Sequence, residues 1–116
     1  MIESPRIALL GFGEVGQILA ADLLVRGVHQ ISVWDTQFDN AQSVASRAAQ
    51  ATNCRIAGAA PDVARDATLI ISAVTAAQDI AAAQSVASHL SAGTFFLDLN
   101  SVSPAVKQEV ARVIEH

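Results

Sequence analysis

"RIALLGFGEVGQILAADLLVRG", Arg6 to Gly27, decides how the chain is read. A short apolar run leads into Gly11, Gly13 and Gly16 at the spacing G-x-G-x-x-G, and a stretch of helical period follows at once. Glycines placed between a strand and a helix have separate uses. Gly11 permits the tight turn out of the strand, Gly13 lets backbone approach a pyrophosphate, and Gly16 lets the helix pack against the strand. The first turn of the helix leaves its N–H groups unpaired, and the positive end of the helix dipole faces the same point. The loop from Gly11 through Phe12, Gly13, Glu14 and Val15 to Gly16 thus reads as a phosphate cradle. Glycines at this spacing also serve ordinary turns, so context has to decide. The fingerprint requires an acid about 20 residues further on, at the end of a second strand, to accept from a ribose. Asp35 stands 19 residues after Gly16, at the end of "ISVWD" (31–35). Loop, helix, strand and acid occur in order, which favours a dinucleotide. Glu14 is the discordant member, because a carboxylate turned inward would repel phosphate. It is expected to face solvent and to favour the helix end from outside.

Outward from this stretch, apolar runs of strand length alternate with longer helical segments. "RIALL" (6–10), "ISVWD" (31–35), "TLIISAV" (68–74) and "TFFLDL" (94–99) read as strands, with "CRIAG" (54–58) a weaker one. Helices are expected over 14–26, 40–51, 62–66, 76–90 and from Pro104 onward, the last with Ser103 as its cap. Strands that are apolar on both faces, alternating with helices, predict a Rossmann-type doubly wound α/β domain. Its parallel sheet has about five strands and carries helices on both faces. Alanine supplies 23 of the 116 residues and concentrates in the helical segments, where small side chains allow close packing.

Composition removes other classes. A net charge of −4 without a Lys/Arg cluster lacks the electrostatic footprint of a nucleic-acid or membrane-surface binder. The longest apolar runs fall far short of the ~20 residues of a membrane span, and "IALL" is too short for a signal-peptide core. The expectation is a cytoplasmic chain of one domain, residues 1–116. Cys54 is the lone cysteine, has no partner at metal-ligand spacing, and reads as a buried filler; no metal is expected.

The opening stretch together with "DLNSVSP" (98–104) resembles the N-terminal domain of the β-hydroxyacid dehydrogenase family. That family includes 3-hydroxyisobutyrate dehydrogenase, tartronate semialdehyde reductase and 6-phosphogluconate dehydrogenase. "DLNSVSP" follows the family's pattern of Asp, any residue, Ser, Ser/Thr, any two, Pro, except that Asn100 replaces the first Ser. The wording "FLDLNSVSP" is similar to a phosphogluconate dehydrogenase-like branch. The resemblance implies that Gly11 to Gly16 hold the pyrophosphate and that Asp35 binds the adenosine ribose. It implies further that "AVTAAQ" (73–78) lines the nicotinamide side, with Thr75 and Ser101 as cofactor contacts. Asp98 and Pro104 would shape the turn. Ala73-Val74 stands where the family has Leu-Pro.

The same resemblance makes absences informative. The family's Ser-Gly-Gly segment and its proton-handling Lys lie beyond this stretch, and the one Lys here, Lys107, reads as a solvated surface residue. His29, His89 and His116 form no constellation with a nucleophile. No catalytic residue is assigned, since a cofactor without an acid/base and a substrate wall only binds. Two readings follow. The chain is the cofactor-binding half of an NAD(P)-dependent dehydrogenase acting on a small hydroxy acid, its helical substrate domain absent, or it is a stand-alone dinucleotide-binding or sensing module. "DLNSVSP" favours the first. Related dehydrogenases whose opening this chain also resembles, such as pyrroline-5-carboxylate reductase or prephenate dehydrogenase, are a third possibility within the enzyme class. Asp35-Thr36, where many family members carry Asn-Arg, favours NAD over NADP. In the strand order 3-2-1-4-5-6, "TFFLDL" would form an uncovered edge lined by Phe95 and Phe96, open to self-association.

Overall fold

The computed structural model describes residues 4–115; His116 lies outside them. Five strands form one sheet in the order β3-β2-β1-β4-β5, every pair parallel. They are β1 (Arg6–Leu10), β2 (Gln30–Trp34), β3 (Arg55–Ile56), β4 (Leu69–Ser72) and β5 (Phe95–Asp98). Five helices connect and follow them: α1 (Glu14–Val25), α2 (Val44–Gln50), α3 (Ala60–Ala64), α4 (Asp79–Ala87) and α5 (Pro104–Glu115). This is the expected doubly wound domain.

Alternation along β1 explains the layers. Ile7 and Leu9 face one way, into a core with Phe12, Ala20, Ile31, Val33, Ala49 and Cys54, under α1 and α2. Ala8 and Leu10 face the other way, into a core with Ala57, Val63, Ala64, Ile70, Ala82 and Val86, under α3 and α4. A strand buried on both faces has no polar side to show water, hence the unbroken apolar run. Cys54 is the buried filler expected of it.

Several boundaries differ from the sequence reading, each for a local reason. Helix α2 begins at Val44 and not near Asn40, because the Asn40 side chain accepts from Gln42 N–H and forms a turn. Ser43 then caps the helix by accepting from Ser46 N–H at 3.0 Å. Helix α3 starts two residues earlier than expected, with Pro61 in its first turn, and stops before Asp66, which adopts φ 61°. The expected helix over 76–90 opens as a 3-10 turn, so α4 proper starts at Asp79. Strand β3 keeps only two residues, paired to Ser32 and Val33. Ser103 caps α5 as expected, accepting from Val106 N–H at 3.3 Å.

The β5 edge also needs correction. Register places Phe95 beside Leu69 and Leu97 beside Ile71, on the α1–α2 side of the sheet. Neither helix reaches that far, and Phe95 is 74% exposed. Phe96 points the opposite way and packs into the α3–α4 core. The bare row is therefore Phe95 and Leu97, with Leu99 next to them, and not Phe95 with Phe96.

Candidate functional site

The glycine loop sits where the strands end and α1 begins. Gly11 adopts φ 97°, and a Cβ there would lie 2.3 Å from the Ala73 carbonyl oxygen, so the turn admits glycine alone. A Cβ at Gly16 would lie 2.2 Å from the Gly11 carbonyl oxygen, so α1 meets the turn only because the side chain is a hydrogen. Gly13, which caps α1, differs. Nothing lies within 4 Å of its Cβ position, and its backbone is open to the space above.

That space is a cleft of about 600 Å³, which Gly11, Gly13, Glu14, Val15, Asp35 and Thr75 help to line. Two expected loop residues lie behind it. Gly16 is buried against the turn, and the Phe12 ring is fully buried with its edge to Phe38, centroids 6.4 Å apart. Phe12 thus anchors the loop to the core through its side chain. Glu14 is exposed at the rim. The sequence reading did not single out Trp34 or Gln37, which also line the cleft, whereas Gln78 lies in the stretch 73–78 expected there; the fingerprint fixes no spacing for the first two.

Asp35 joins loop to strand. One carboxylate oxygen accepts the Phe12 N–H at 2.7 Å, and the other accepts Gln37 N–H at 2.8 Å. Each oxygen keeps a second lone pair for an incoming donor. The lining carries two carboxylates, Glu14 and Asp35, and neither Lys nor Arg. An adjoining cavity of about 700 Å³ past Trp34, reaching Phe38, Ile56 and Pro61, adds Asp39 and again no cation.

At the other end of the cleft, Thr75 stands exposed before the 3-10 turn. Ser101 is exposed on the loop after β5 and is not part of the lining. The two loops are tied by Asn100, which the sequence reading noted only as a departure from Ser. Its buried amide oxygen accepts Val74 N–H at 2.7 Å. Its nitrogen donates to Ser72 Oγ at 3.1 Å and to Asp79 Oδ1 at 2.8 Å. Asp98 accepts Asn100 N–H at 2.7 Å. Lys107, expected to be solvated, instead pairs with Asp98 Oδ1 at 3.0 Å and donates to the Asp98 carbonyl at 2.9 Å, because α5 folds back over the end of β5. Burial, followed by the neighbouring Asp98 carboxyl, pushes the Asp79 carboxyl above its ordinary value. Burial would raise Asp98 too, but hydrogen bonds with Asp79, Asn100 N–H and Lys107 outweigh it and hold Asp98 low. A polar residue interrupting the apolar strand exit "FFLDLN" was the available signal for this cluster.

Among the described residues, no group of His, Cys, Asp and Glu is arranged to hold a metal, and no helix is long and apolar enough to cross a membrane.

A parallel sheet, a glycine turn against a helix N-terminus and an acid at the end of β2 define a Rossmann-type dinucleotide-binding domain. The chain belongs to the family of the NAD-binding domain of 6-phosphogluconate dehydrogenase, whose pattern it matches over residues 6–116. Solved structures share the fold. A conserved hypothetical protein from Sinorhizobium meliloti 1021 is 32% identical with a TM-score of 0.86, over 97% of this chain and 38% of that one. Mycobacterium tuberculosis 3-hydroxyisobutyrate dehydrogenase is 23% identical with a TM-score of 0.84, over 97% of this chain and 37% of that one. Prephenate dehydrogenase from A. aeolicus, solved with NAD+, is 16% identical with a TM-score of 0.79, over 97% and 39%. The chain therefore spans well under half the length of these proteins. No curated protein matches the sequence. Solved complexes of this fold contain NAD+ in one case and NADP in another, so the fold alone does not choose between them.

Proposed function

We propose that this chain binds NAD(H) in preference to NADP(H) and serves as the cofactor-binding part of a dehydrogenase for a small hydroxy acid. Gly11, Gly13 and the first turn of α1 hold the pyrophosphate. Asp35 accepts from the adenosine ribose, and Thr75 and Ser101 attend the nicotinamide end. The open backbone at Gly13 fits this assignment, since a phosphate oxygen can approach where any side chain would stand. A nicotinamide held there would supply or accept the hydride. The cleft contributes no cation and no histidine to move a proton, so the substrate wall and the acid/base belong to a further helical domain.

The observation that carries the cofactor choice is the charge of the lining. The ribose hydroxyls of NAD donate to Asp35, whereas a 2′-phosphate would meet Asp35, with Asp39 close by and no Lys or Arg to receive it. Arg47, the next basic residue along the chain, is exposed in the last turn of α2 and lines neither cavity.

Calorimetric titration with NAD, NADH, NADP and NADPH tests the reading, with oxidation of small hydroxy acids followed at 340 nm (nicotinamide absorbance) in parallel. The expected result is binding of NAD and NADH, weaker binding of the phosphorylated pair, no turnover, and a melting temperature that rises with ligand by mass action. Tighter binding of NADP would overturn the role given to Asp35. Robust turnover by the chain alone would overturn the division of labour.

A further inference from the structure

The cluster behind the nicotinamide-side loops is not used by the proposed function, and its geometry is unusual. Asp79, at the start of α4, is fully buried, and Asp98, at the end of β5, is nearly so. Asp79 Oδ1 and Asp98 Oδ1 are both satisfied, by Asn100 and Lys107 among others. Asp79 Oδ2 and Asp98 Oδ2 are buried and accept from no donor. The two carboxyls meet at Asn100, whose Nδ2 donates to Asp79 Oδ1 and whose N–H donates to Asp98 Oδ1, so both orphaned oxygens lie in one buried cluster. Two ionised carboxylates in that position would repel at close range in a poorly solvated site. The surrounding elements do little to offset this. Strand β4 presents Ser72, the loop after β5 presents Asn100, and α5 presents Lys107, the one cation facing the pair.

We propose that Asp79 and Asp98 share a single proton, held between their Oδ2 atoms, and that this proton keeps the loops 73–78 and 99–103 clamped together through Asn100. Asp79 is the proton carrier and Asp98 the ionised partner, since Lys107 and the Asn100 N–H both stabilise charge on Asp98. When the proton leaves to solvent, the pair carries two charges against one Lys. Repulsion then drives Asp79 and Asp98 apart, and Asn100, bonded to both, can no longer hold the two of them and Val74 N–H at once. The sign follows from linkage. Asp79 binds its proton more tightly in the folded chain, so the stabilisation is fully present below the carboxyl's unfolded value and is lost as pH rises through its raised folded value. The bearing on function rests on the reading of these loops as the nicotinamide side, with Thr75 and Ser101 upon them. Asp79 and Asn100 are positioning residues in that scheme.

The test is made on the ligand-free chain, so a failure of dinucleotide binding and a failure of the pair are seen separately. Carbon-13 NMR of the aspartate carboxyls should show one of them holding its proton above the usual carboxylate range. The backbone amides of Val74 and Asn100 should shift with the same midpoint. Asp79→Asn mimics the protonated acid, donating to Asp98 Oδ2 while accepting from Asn100. It should keep the amide positions of the protonated chain and abolish their shift on deprotonation. If every aspartate titrates in the ordinary range, or if Val74 and Asn100 do not follow the carboxyl that titrates above it, the shared proton is refuted. Should Asp79→Asn fail to fold, the wild-type titration decides alone.

Discussion

The carboxylate of Asp35 and the backbone of Phe12 are joined by a 2.7 Å hydrogen bond across 23 residues of sequence. The acid at the end of β2 therefore does two things. It braces the glycine turn and presents its remaining lone pairs to the cleft. Removing it should be felt at both the ribose and the pyrophosphate of a bound dinucleotide. Asp35→Ala is expected to weaken NAD by about tenfold to a hundredfold, the scale of a charge-assisted hydrogen bond worth roughly 1.5–3 kcal/mol. Asp35→Asn combined with Thr36→Arg should weaken NAD and strengthen NADP. Calorimetry on each variant checks both statements.

The three loop glycines should separate by what their hydrogens touch. Gly16→Ala forces a Cβ into the Gly11 carbonyl 2.2 Å away, and backbone must move to admit it. Overpacking of this kind costs about 1–3 kcal/mol, a loss of roughly 5 °C or more in melting temperature for a chain of this size. Gly13→Ala meets nothing within 4 Å at a φ of −77°. It should melt like the parent and yet bind dinucleotide at least about tenfold more weakly, because the methyl stands where phosphate must approach. Equal affinity for Gly13→Ala and the parent would remove the pyrophosphate from that spot.

The bare row on β5 should make the chain associate as concentration rises. Phe95, Leu97 and Leu99 are exposed together, and a groove of about 580 Å³ runs beside them past Ile7 and Leu69. Phe95→Glu should suppress association without loss of fold, since the ring packs against no core. Light scattering across a concentration series measures it. A strictly monomeric parent at high concentration would contradict the expectation.

The acid limb of the stability profile should carry the mark of Arg55. It donates to Ser32 Oγ at 2.9 Å and to the carboxylate and carbonyl of Asp62 at 3.1 and 2.9 Å, so one side chain ties β2, β3 and α3 together. The hydrogen bond from Arg55, opposed by burial and helped by the Arg55 and Arg65 charges, holds Asp62 below its ordinary value. A depressed carboxylate stabilises above its unfolded value, and the stabilisation is lost as pH falls through the folded one. The gap in melting temperature between the parent and Arg55→Gln should be widest near neutrality and close in acid. A gap of constant size across pH would mean that Asp62 plays no part.

Much of this was readable in advance, for a physical reason. The period of the apolar residues, the glycine spacing and Asp35 are local or fixed-offset signals, and they delivered the sheet, the strand order and the cleft. The row at β5 was misread because strand alternation assigns faces, yet nothing in "FFLDL" says how far α1 and α2 extend across the sheet. Lys107 was misread for a similar reason. Its pairing with Asp98 depends on the angle at which α5 leaves the chain after Pro104, which no residue type encodes. The Asn100 cluster joins positions 72, 74, 79, 98 and 107, too scattered for any spacing rule.

The Asn100 side chain, bonded at once to β4, to the loop beyond it and to α4, has a thermodynamic consequence. Two loops that would each lose conformational freedom on meeting a ligand lose it instead when the chain folds. Ordering at that end is therefore absent from the entropy of association, and preorganised contacts of this kind raise affinity without adding any. Asn100→Ala would return that freedom to the loops. Its signature in a titration is a less favourable binding entropy, visible even where the binding enthalpy is unchanged.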